Sequence, residues 1–213
     1  MRGVIQNPVR WRNNKTTYGE IAKALHWVVA ILFLVSYLSI YYRHWFAESQ
    51  SDVWRIAGNA HRCAGISIAI LVVLRIVWRI VNSKPDLPPG PRWEHQSASV
   101  AHYALYVVMV AMPATGYFGT DAATNFGIFL VPNFAETGSY QWIASGAPFD
   151  KWEVPLDYLH RRVGGAFLVL LLIVLHVGAA LYHQFYRKDN VLIRMLPGDW
   201  GSQNGREEST SRD

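Results

Sequence analysis

The sequence alternates between four long apolar stretches and polar connecting segments. The apolar stretches cover residues 24–42, 64–81, 100–120 and 163–186, and only the second contains charged residues, which are arginines. Each is close to the roughly 20 apolar residues that a helix needs to cross a bilayer. A core helix of a soluble protein is shorter and is apolar on one face only. The pattern therefore predicts an all-α integral membrane protein, a four-helix up-and-down bundle.

The same pattern predicts the domain organisation. We expect one transmembrane domain, 1–196, followed by a polar tail, 197–213, which we expect to be disordered. The helices are expected at about 21–42, 58–82, 98–119 and 159–187, with an outer loop at 120–157. The aromatic residues of this long loop argue against disorder. Two interpretations stay open: the loop anchors in the membrane interface, or it covers a site on the outer face.

Average composition hides this division of the chain. Mean hydropathy is only +0.09, although 51% of the residues are hydrophobic, because the polar segments offset the apolar ones. A net charge of +5 would by itself allow a nucleic acid partner. Most of the 20 lysines and arginines, however, lie near the termini and between the second and third stretches. Basic residues mark the cytoplasmic side of membrane proteins, so we expect both termini to be cytoplasmic and no nucleic acid to bind.

Histidine is the residue type that carries the candidate chemistry. Six of the eight histidines lie at or near the ends of the apolar stretches, namely His26, His61, His102, His160, His176 and His183. Ionisable residues in a bilayer are costly and mark functional sites by default. Cys63 is the only cysteine, which excludes a zinc site with two or more thiolates. A histidine relay for zinc or protons is the weaker alternative, because the apolar stretches contain no Asp or Glu.

Haem iron suits this pattern better. Two neutral imidazoles complete the coordination of the iron in a b-type cytochrome, and a porphyrin fits between packed helices. Alternating helix directions then restrict the pairing. We expect His26 to meet His176 on the inner side and His61 to meet His160 on the outer side, which gives two haems across one bilayer. His102, on the inner half of the third helix, is the alternative partner of His176.

A set of short sequence blocks also resembles a known family. The blocks are Ala24-Leu25-His26-Trp27, then His61 with Gly65-Ile66-Ser67, Arg75 and Arg79, then Ala101-His102 with Pro113 and Gly116, then Leu175-His176 with Ala179-Ala180-Leu181 and His183, and finally Lys188-Asp189-Asn190 and Arg194-Met195-Leu196-Pro197. In this order they resemble the bacterial cytochromes b561 of the four-helix, di-haem type, over nearly the whole chain. The resemblance implies two b haems with ligands on helices one, two and four.

The resemblance also implies an activity and a location. It implies a multi-pass protein of the bacterial inner membrane that passes electrons from a small donor, superoxide at the outer face, to ubiquinone. Its partners would be membrane lipid, quinone and this donor, and no catalytic residue is assigned beyond the haem ligands. The alternative is a cytochrome b subunit that relays electrons between a dehydrogenase or hydrogenase and the quinone pool. A transporter without redox chemistry is the third class.

Other polar side chains are candidate contacts of haem propionates or of quinone. They are His102, Arg75, Arg79, Arg162 and His183. A guanidinium offers a planar fork of donors to such oxygens. The structural alternative is that the arginines reach lipid headgroups and that the histidines pack or lie at the interface. Arg162 also lies where it would attract an anion such as superoxide.

One departure from the family concerns His160. The two helix-four ligands of the family are typically 14 residues apart, whereas His160 and His176 are 16 apart, and Arg162 occupies the position 14 before His176. Sixteen residues of α-helix leave a rotation of about 160°, at about 100° per residue. Either His160 lies on a turn before the helix, or a bulge near Gly164-Gly165 absorbs the difference, or His160 is not a ligand.

Overall fold

Four long helices build the protein. The computed structural model describes residues 10–144 and 148–198. The long helices are α1 (Glu20–Trp45), α2 (Asp52–Val81), α3 (Arg92–Phe118) and α5 (Asp150–Arg187), and a short helix α4 (Gly138–Ala144) precedes α5. All four long helices have the length and apolar composition needed to cross a membrane. The expected all-α, four-helix membrane architecture is confirmed.

Helix ends follow local capping as well as hydropathy. The helices α2 and α3 both begin about six residues before the start that the apolar pattern predicts. Ser51 explains the early start of α2, because its hydroxyl accepts a hydrogen bond from the backbone N–H of Trp54, 3.2 Å away. Such a cap satisfies a free N–H at the first turn, and it adds polar turns that no hydropathy pattern reveals.

Both described ends of the chain lie at the same end of the bundle, here called the terminal end. The indole N–H of Trp27 donates to the Met195 carbonyl at 2.7 Å, and the Lys23 ammonium donates to the Gly198 carbonyl at 3.2 Å. Lys23 is only 4% exposed, and Glu20 at 2.9 Å balances its charge. Residues 190–198 are thereby held against the start of α1. The predicted tail from residue 199 onward lies outside the described residues.

The connection between α3 and α5 folds over the opposite end, here called the loop end. Its strands β1 (Thr124–Asn125) and β2 (Leu130–Val131) form an antiparallel hairpin. Asn59 of α2 fixes this hairpin by donating to the Asn125 carbonyl at 2.7 Å and accepting from its N–H at 2.9 Å. The buried rings of Phe134 and Tyr140 pack near the start of α5. The loop end therefore has a small aromatic core of its own.

The apolar core of the bundle is a thin layer midway along the helices. Val29, Ile68 and Val72 are buried in it. Many other large apolar side chains of the spanning helices are exposed, as the lipid-facing side chains of a membrane protein must be. Polar side chains line the cavities between the helices on both sides of this layer. The helices thus enclose space at each end that apolar side chains do not fill.

The fourth spanning helix, α5, changes its winding along its length. It is α-helical over Asp150–Tyr158 and Val169–Tyr182 and π-helical over Leu159–Leu168 and His183–Arg187. In the first π segment, the N–H of Val169 donates to the carbonyl of Gly164, five residues earlier. The bulge considered near Gly164-Gly165 is therefore present, as a π-helical segment ten residues long.

Candidate functional site

His61 and His160 face each other at the loop end. Their ring centroids are 5.9 Å apart and their planes meet at 79°. The Nδ1 atom of His61 lies 3.0 Å from the Ser36 carbonyl oxygen, and Nδ1 of His160 lies 2.9 Å from the Met112 carbonyl oxygen. A carbonyl only accepts, so each Nδ1 carries the proton and donates. Each Nε2 then keeps its lone pair, which is the form of imidazole that ligates a metal.

The π-helical segment Leu159–Leu168 gives His160 this orientation. A π-helix takes about 4.4 residues per turn, or about 82° per residue, because its hydrogen bonds span five residues. With about half of the 16 steps from His160 to His176 wound in this way, the rotation between them leaves a remainder of about 20°, in place of about 160° for an α-helix. The two histidines therefore share one face of α5 despite their spacing.

Helix α3 is shaped to receive the His160 ring. A Cβ atom at Gly116 would lie 2.8 Å from Cε1 of this ring, closer than Cβ atoms pack, and 3.1 Å from its Nδ1. A Cβ atom at Gly164 would overlap the Met112 side chain. Both glycines therefore allow α3 and α5 to approach closely. This approach brings the Met112 carbonyl within hydrogen-bonding distance of His160.

Three histidines meet at the terminal end. The ring centroids of His26 and His176 are 6.2 Å apart with planes at 65°, and those of His102 and His176 are 5.8 Å apart with planes at 70°. His26 and His176 are half-buried, whereas His102 is exposed. The pair expected from the topology is thus close in space, and so is the alternative pair.

The two clusters lie one above the other in the bundle. On α1, Ser36 contacts His61 and lies ten residues after His26, which corresponds to about 15 Å along the helix. The buried layer with Val29 and Val72 occupies the space between them. The two sites are therefore separated by a distance well below the thickness of a bilayer.

The facing imidazoles fit haem iron. A bond between a metal and an imidazole nitrogen is about 2 Å long, so a metal between two Nε2 atoms holds them about 4 Å apart and the ring centroids somewhat further. The centroid distances of 5.9 and 6.2 Å agree with this requirement. Among the described residues, no three His, Cys, Asp or Glu side chains lie close enough to hold a bare metal ion.

A large cleft surrounds the loop-end pair. Its volume is about 1530 Å³, whereas typical small-molecule pockets measure roughly 300–1,000 Å³. Arginines and acids line its outer part, among them Arg43, Arg62, Arg161, Arg162, Asp121 and Asp157. The Arg43 guanidinium lies 3.5 Å from the centroid of the Trp54 ring, a cation–π contact that fixes its position. The cleft is large enough for a prosthetic group, and several arginines lie along it.

Comparison with known proteins assigns the family. A sequence model described as "Prokaryotic cytochrome b561" matches residues 17–198. This chain belongs to the prokaryotic cytochrome b561 family. It is therefore a membrane electron-transfer protein, and haem b binding is implied for it by the family. The family resemblance that the sequence blocks indicated is confirmed.

Individual relatives are similar along most of their length. Cytochrome b561 homolog 2 of Escherichia coli K12 is 29% identical over 197 residues, which cover 86% of this chain and 93% of that protein. Cytochrome b561 homolog 1 of the same organism is 28% identical over 182 residues, which cover 81% and 93%. A Yersinia pestis protein named probable superoxide oxidase CybB is 28% identical over 185 residues, which cover 84% and 96%.

In this cytochrome b561 family member, the arginines singled out on α2 line a small cavity at the terminal end. The cavity measures about 70 Å³ and is lined by Arg75, Arg79, His102 and Tyr106, among others. The Nε–H of Arg75 donates to the Tyr106 hydroxyl at 3.3 Å, and the Arg79 guanidinium lies 5.3 Å from the centroid of the Tyr106 ring. The cavity thus places two guanidinium groups beside the three-histidine cluster.

The remaining candidates lie in different surroundings. Arg162 is exposed and lines the loop-end cleft. His183 lines neither described cavity; its Nδ1 lies 2.6 Å from Oδ2 of Asp189, which follows the end of α5. It lies at the terminal end, and its described partner is this carboxylate.

Several residues around the sites were not predicted from the sequence. Met112 acts through its backbone carbonyl, which no side-chain pattern reveals. Ser36 acts through its carbonyl and also through its hydroxyl, which lies 2.9 Å from Nδ1 of His61. Tyr37 donates its hydroxyl to the Gly165 carbonyl at 2.9 Å. Ser36 and Tyr37 are hydroxyl residues inside an apolar stretch, and this is the one signal that could have drawn attention to them.

Proposed function

We propose that this chain is a di-haem b cytochrome that passes electrons from superoxide to ubiquinone. His61 and His160 would ligate the iron of one haem, and His26 and His176 that of the other. The observation that carries the proposal is the pair of facing imidazoles at each end of the bundle, 5.9 and 6.2 Å apart. The family membership supports haem as the group between them.

The protein would lie in the bacterial inner membrane with the terminal end in the cytoplasm. Thirteen of the 20 lysines and arginines belong to the termini, to the connection between α2 and α3, or to the helix turns next to them, and basic residues are retained on the cytoplasmic side. The loop end, with its arginine-lined cleft, would then face outward. Residues 1–196 would form the transmembrane domain and 197–213 a cytoplasmic tail.

The residues of the chain would hold and insulate the haems. Haem iron, when bound, supplies one-electron redox chemistry. The carbonyls of Ser36 and Met112 hold the loop-end imidazoles in the ligating tautomer, and such outer hydrogen bonds orient a ligand and make it more basic. The buried layer around Val29, Ile68 and Val72 excludes water between the two sites.

The loop-end cleft would receive the donor. Five arginines and three acids line it, and Arg161 pairs with Asp157 at 2.7 Å. The remaining excess of positive charge would raise the local concentration of a small anion, and superoxide is such an anion. Two superoxide anions lose one electron each and become two molecules of O₂. The two electrons, together with two protons, reduce one ubiquinone to ubiquinol. The relative named probable superoxide oxidase supports this choice of donor.

The terminal end offers contacts for the acceptor or for a haem. Arg75 and Arg79 lie beside His102 in the small cavity, where they would donate to quinone carbonyls or to haem propionates. Arg162 would serve the loop-end haem in the same manner. His183, held by Asp189, is a further contact of this kind at the terminal end.

Haem content and donor can be tested on one preparation. The purified protein is mixed with a superoxide-generating system and a soluble ubiquinone analogue, and quinone reduction is followed by absorbance. The expected result is quinone reduction that superoxide dismutase abolishes. Two haems per chain without such a reaction would contradict the superoxide activity. Co-purification of an iron–sulfur or flavin subunit would then favour the electron-relay alternative.

A further inference from the structure

The 16-residue spacing of the two histidines on α5 does not place them on one face of a regular α-helix. A regular α-helix would separate His160 and His176 by about 160° around its axis, and only the π-helical segment Leu159–Leu168 brings them to one face. π-Helical turns are rare and persist where the surrounding structure supports them. The residues that stabilise this segment therefore determine where His160 points.

The hydroxyl of Tyr37 is one of these supports. The N–H of Val169, which would bond the Gly165 carbonyl in an α-helix, donates to the Gly164 carbonyl instead. The Gly165 carbonyl accepts a hydrogen bond from the Tyr37 hydroxyl at 2.9 Å. In a bilayer, backbone polar groups must find partners within the protein. Tyr37 therefore gives this carbonyl a hydrogen bond in place of the one from the Val169 N–H.

Helix α3 supports the segment from another side. The Met112 side chain packs directly on the backbone at Gly164, where no Cβ could fit, and the Met112 carbonyl accepts from Nδ1 of His160. The Thr115 hydroxyl lies 3.4 Å from the same Nδ1 atom. Contacts from α1 and α3 thus act on one segment and on the ring that it carries.

We propose that the π-helical segment Leu159–Leu168, stabilised by the Tyr37 hydroxyl and packed on Met112, is the device that keeps His160 opposite His61 at the 16-residue spacing of this chain. Tyr37 is then a positioning residue for the loop-end haem, which it does not itself ligate. This inference rests on the proposed function, because it assumes that His61 and His160 ligate a haem.

The first test compares Tyr37→Phe with Tyr42→Phe in the full-length protein. Tyr42 also belongs to α1 but is exposed and is not among the residues that line the loop-end cleft, and each variant removes one hydroxyl and keeps its ring. Haem per chain, the rate of haem loss and the EPR signal of the ferric loop-end haem are measured. That signal is assigned by its absence in His61→Ala. It depends on the angle between the two imidazole planes, so it reports ring orientation.

Tyr37→Phe is expected to lose the loop-end haem about tenfold faster, because the half-buried Gly165 carbonyl loses its hydrogen bond from the hydroxyl, and to shift its EPR signal. Tyr42→Phe is expected to match the unmodified protein. Identical behaviour of the two variants would overturn the inference and leave the proposed function intact. A single haem in the unmodified protein would instead contradict the proposed function at the loop end.

A second pair of variants tests the winding directly. His160→Ala is expected to remove the loop-end haem. Adding Arg162→His restores a histidine 14 residues before His176, the position that a regular α-helix would aim at the haem. The double variant is expected to stay without the loop-end haem, because the π-helical segment turns residue 162 away. Recovery of two haems would overturn the inference.

Discussion

Replacing Gly116 by alanine perturbs the loop-end site through a single methyl group. The new Cβ would lie 2.8 Å from Cε1 of His160, whereas ordinary contacts begin at 3.4 Å, so the ring would have to move by about 0.6 Å or more. The hydrogen bond from His160 to the Met112 carbonyl, at 2.9 Å, resists this movement. Metal sites tolerate displacements of only about 0.5 Å. In this variant, the packing of α3 would therefore displace the His160 ring from the position that iron ligation requires.

The expected size of the effect follows from the cost of overpacking. An extra methyl group in a well-packed site costs about 1–3 kcal/mol, which corresponds to about 5- to 150-fold weaker retention of the loop-end haem. Replacing glycine by alanine also stabilises a helix by about 1 kcal/mol. The control must therefore be a glycine-to-alanine replacement within a helix. Gly178→Ala is this control, because no heavy atom lies within 4 Å of a Cβ there.

Haem retention is the appropriate assay for this pair. Both variants and the unmodified protein are purified, haem per chain is determined, and haem transfer to an excess of haem-scavenging protein is followed by absorbance. Gly116→Ala is expected to lose one haem 5- to 150-fold faster, on the estimate above, while the second haem and the Gly178→Ala protein remain unchanged. Equal retention in Gly116→Ala and Gly178→Ala would refute the placement of the His160 ring against α3.

Four further substitutions test other parts of the proposed sites. Gly65→Ala adds a methyl group that meets no protein atom within 4 Å but projects from the wall of the loop-end cleft. The variant should therefore have a lower haem content than Gly178→Ala. Equal haem contents in the two variants would show that nothing fills that part of the cleft. His102→Ala should keep both haems whereas His176→Ala loses one, as haem quantification will show; loss of a haem in His102→Ala would make His102 the ligand. Arg43→Gln should lower the superoxide-dependent rate of quinone reduction about two- to fivefold at low salt. The difference should vanish at high salt, because salt screens the charge. A difference that does not depend on salt would contradict electrostatic steering of the donor.

The architecture was predictable because the bilayer imposes a simple rule on sequence. Helices that cross a membrane need long apolar stretches, and alternating helix directions then place His26 and His176 on one side and His61 and His160 on the other. The structure brings both pairs together. This part of the candidate site therefore follows from hydropathy and topology alone.

The details around the histidines depend on contacts between segments far apart in the chain. The spacing of His160 and His176 left three alternatives, and the choice among them depends on Tyr37 of α1 and Met112 of α3, which pack on the π-helical segment. The carbonyls that fix the imidazole tautomers belong to the backbone and have no signature in the sequence. The contact of His183 with Asp189 depends on how the chain turns after α5.

Ligation of one haem by each of the two histidine pairs can be tested in a single measurement. A reduced-minus-oxidised absorption spectrum of the purified protein, together with chemical quantification of haem and protein, gives both the ligation type and the stoichiometry. The expected result is two low-spin b haems per chain with histidine on both sides of each iron. One haem per chain would contradict the loop-end pair of His61 and His160, and a protein without haem would contradict the proposed function as a whole.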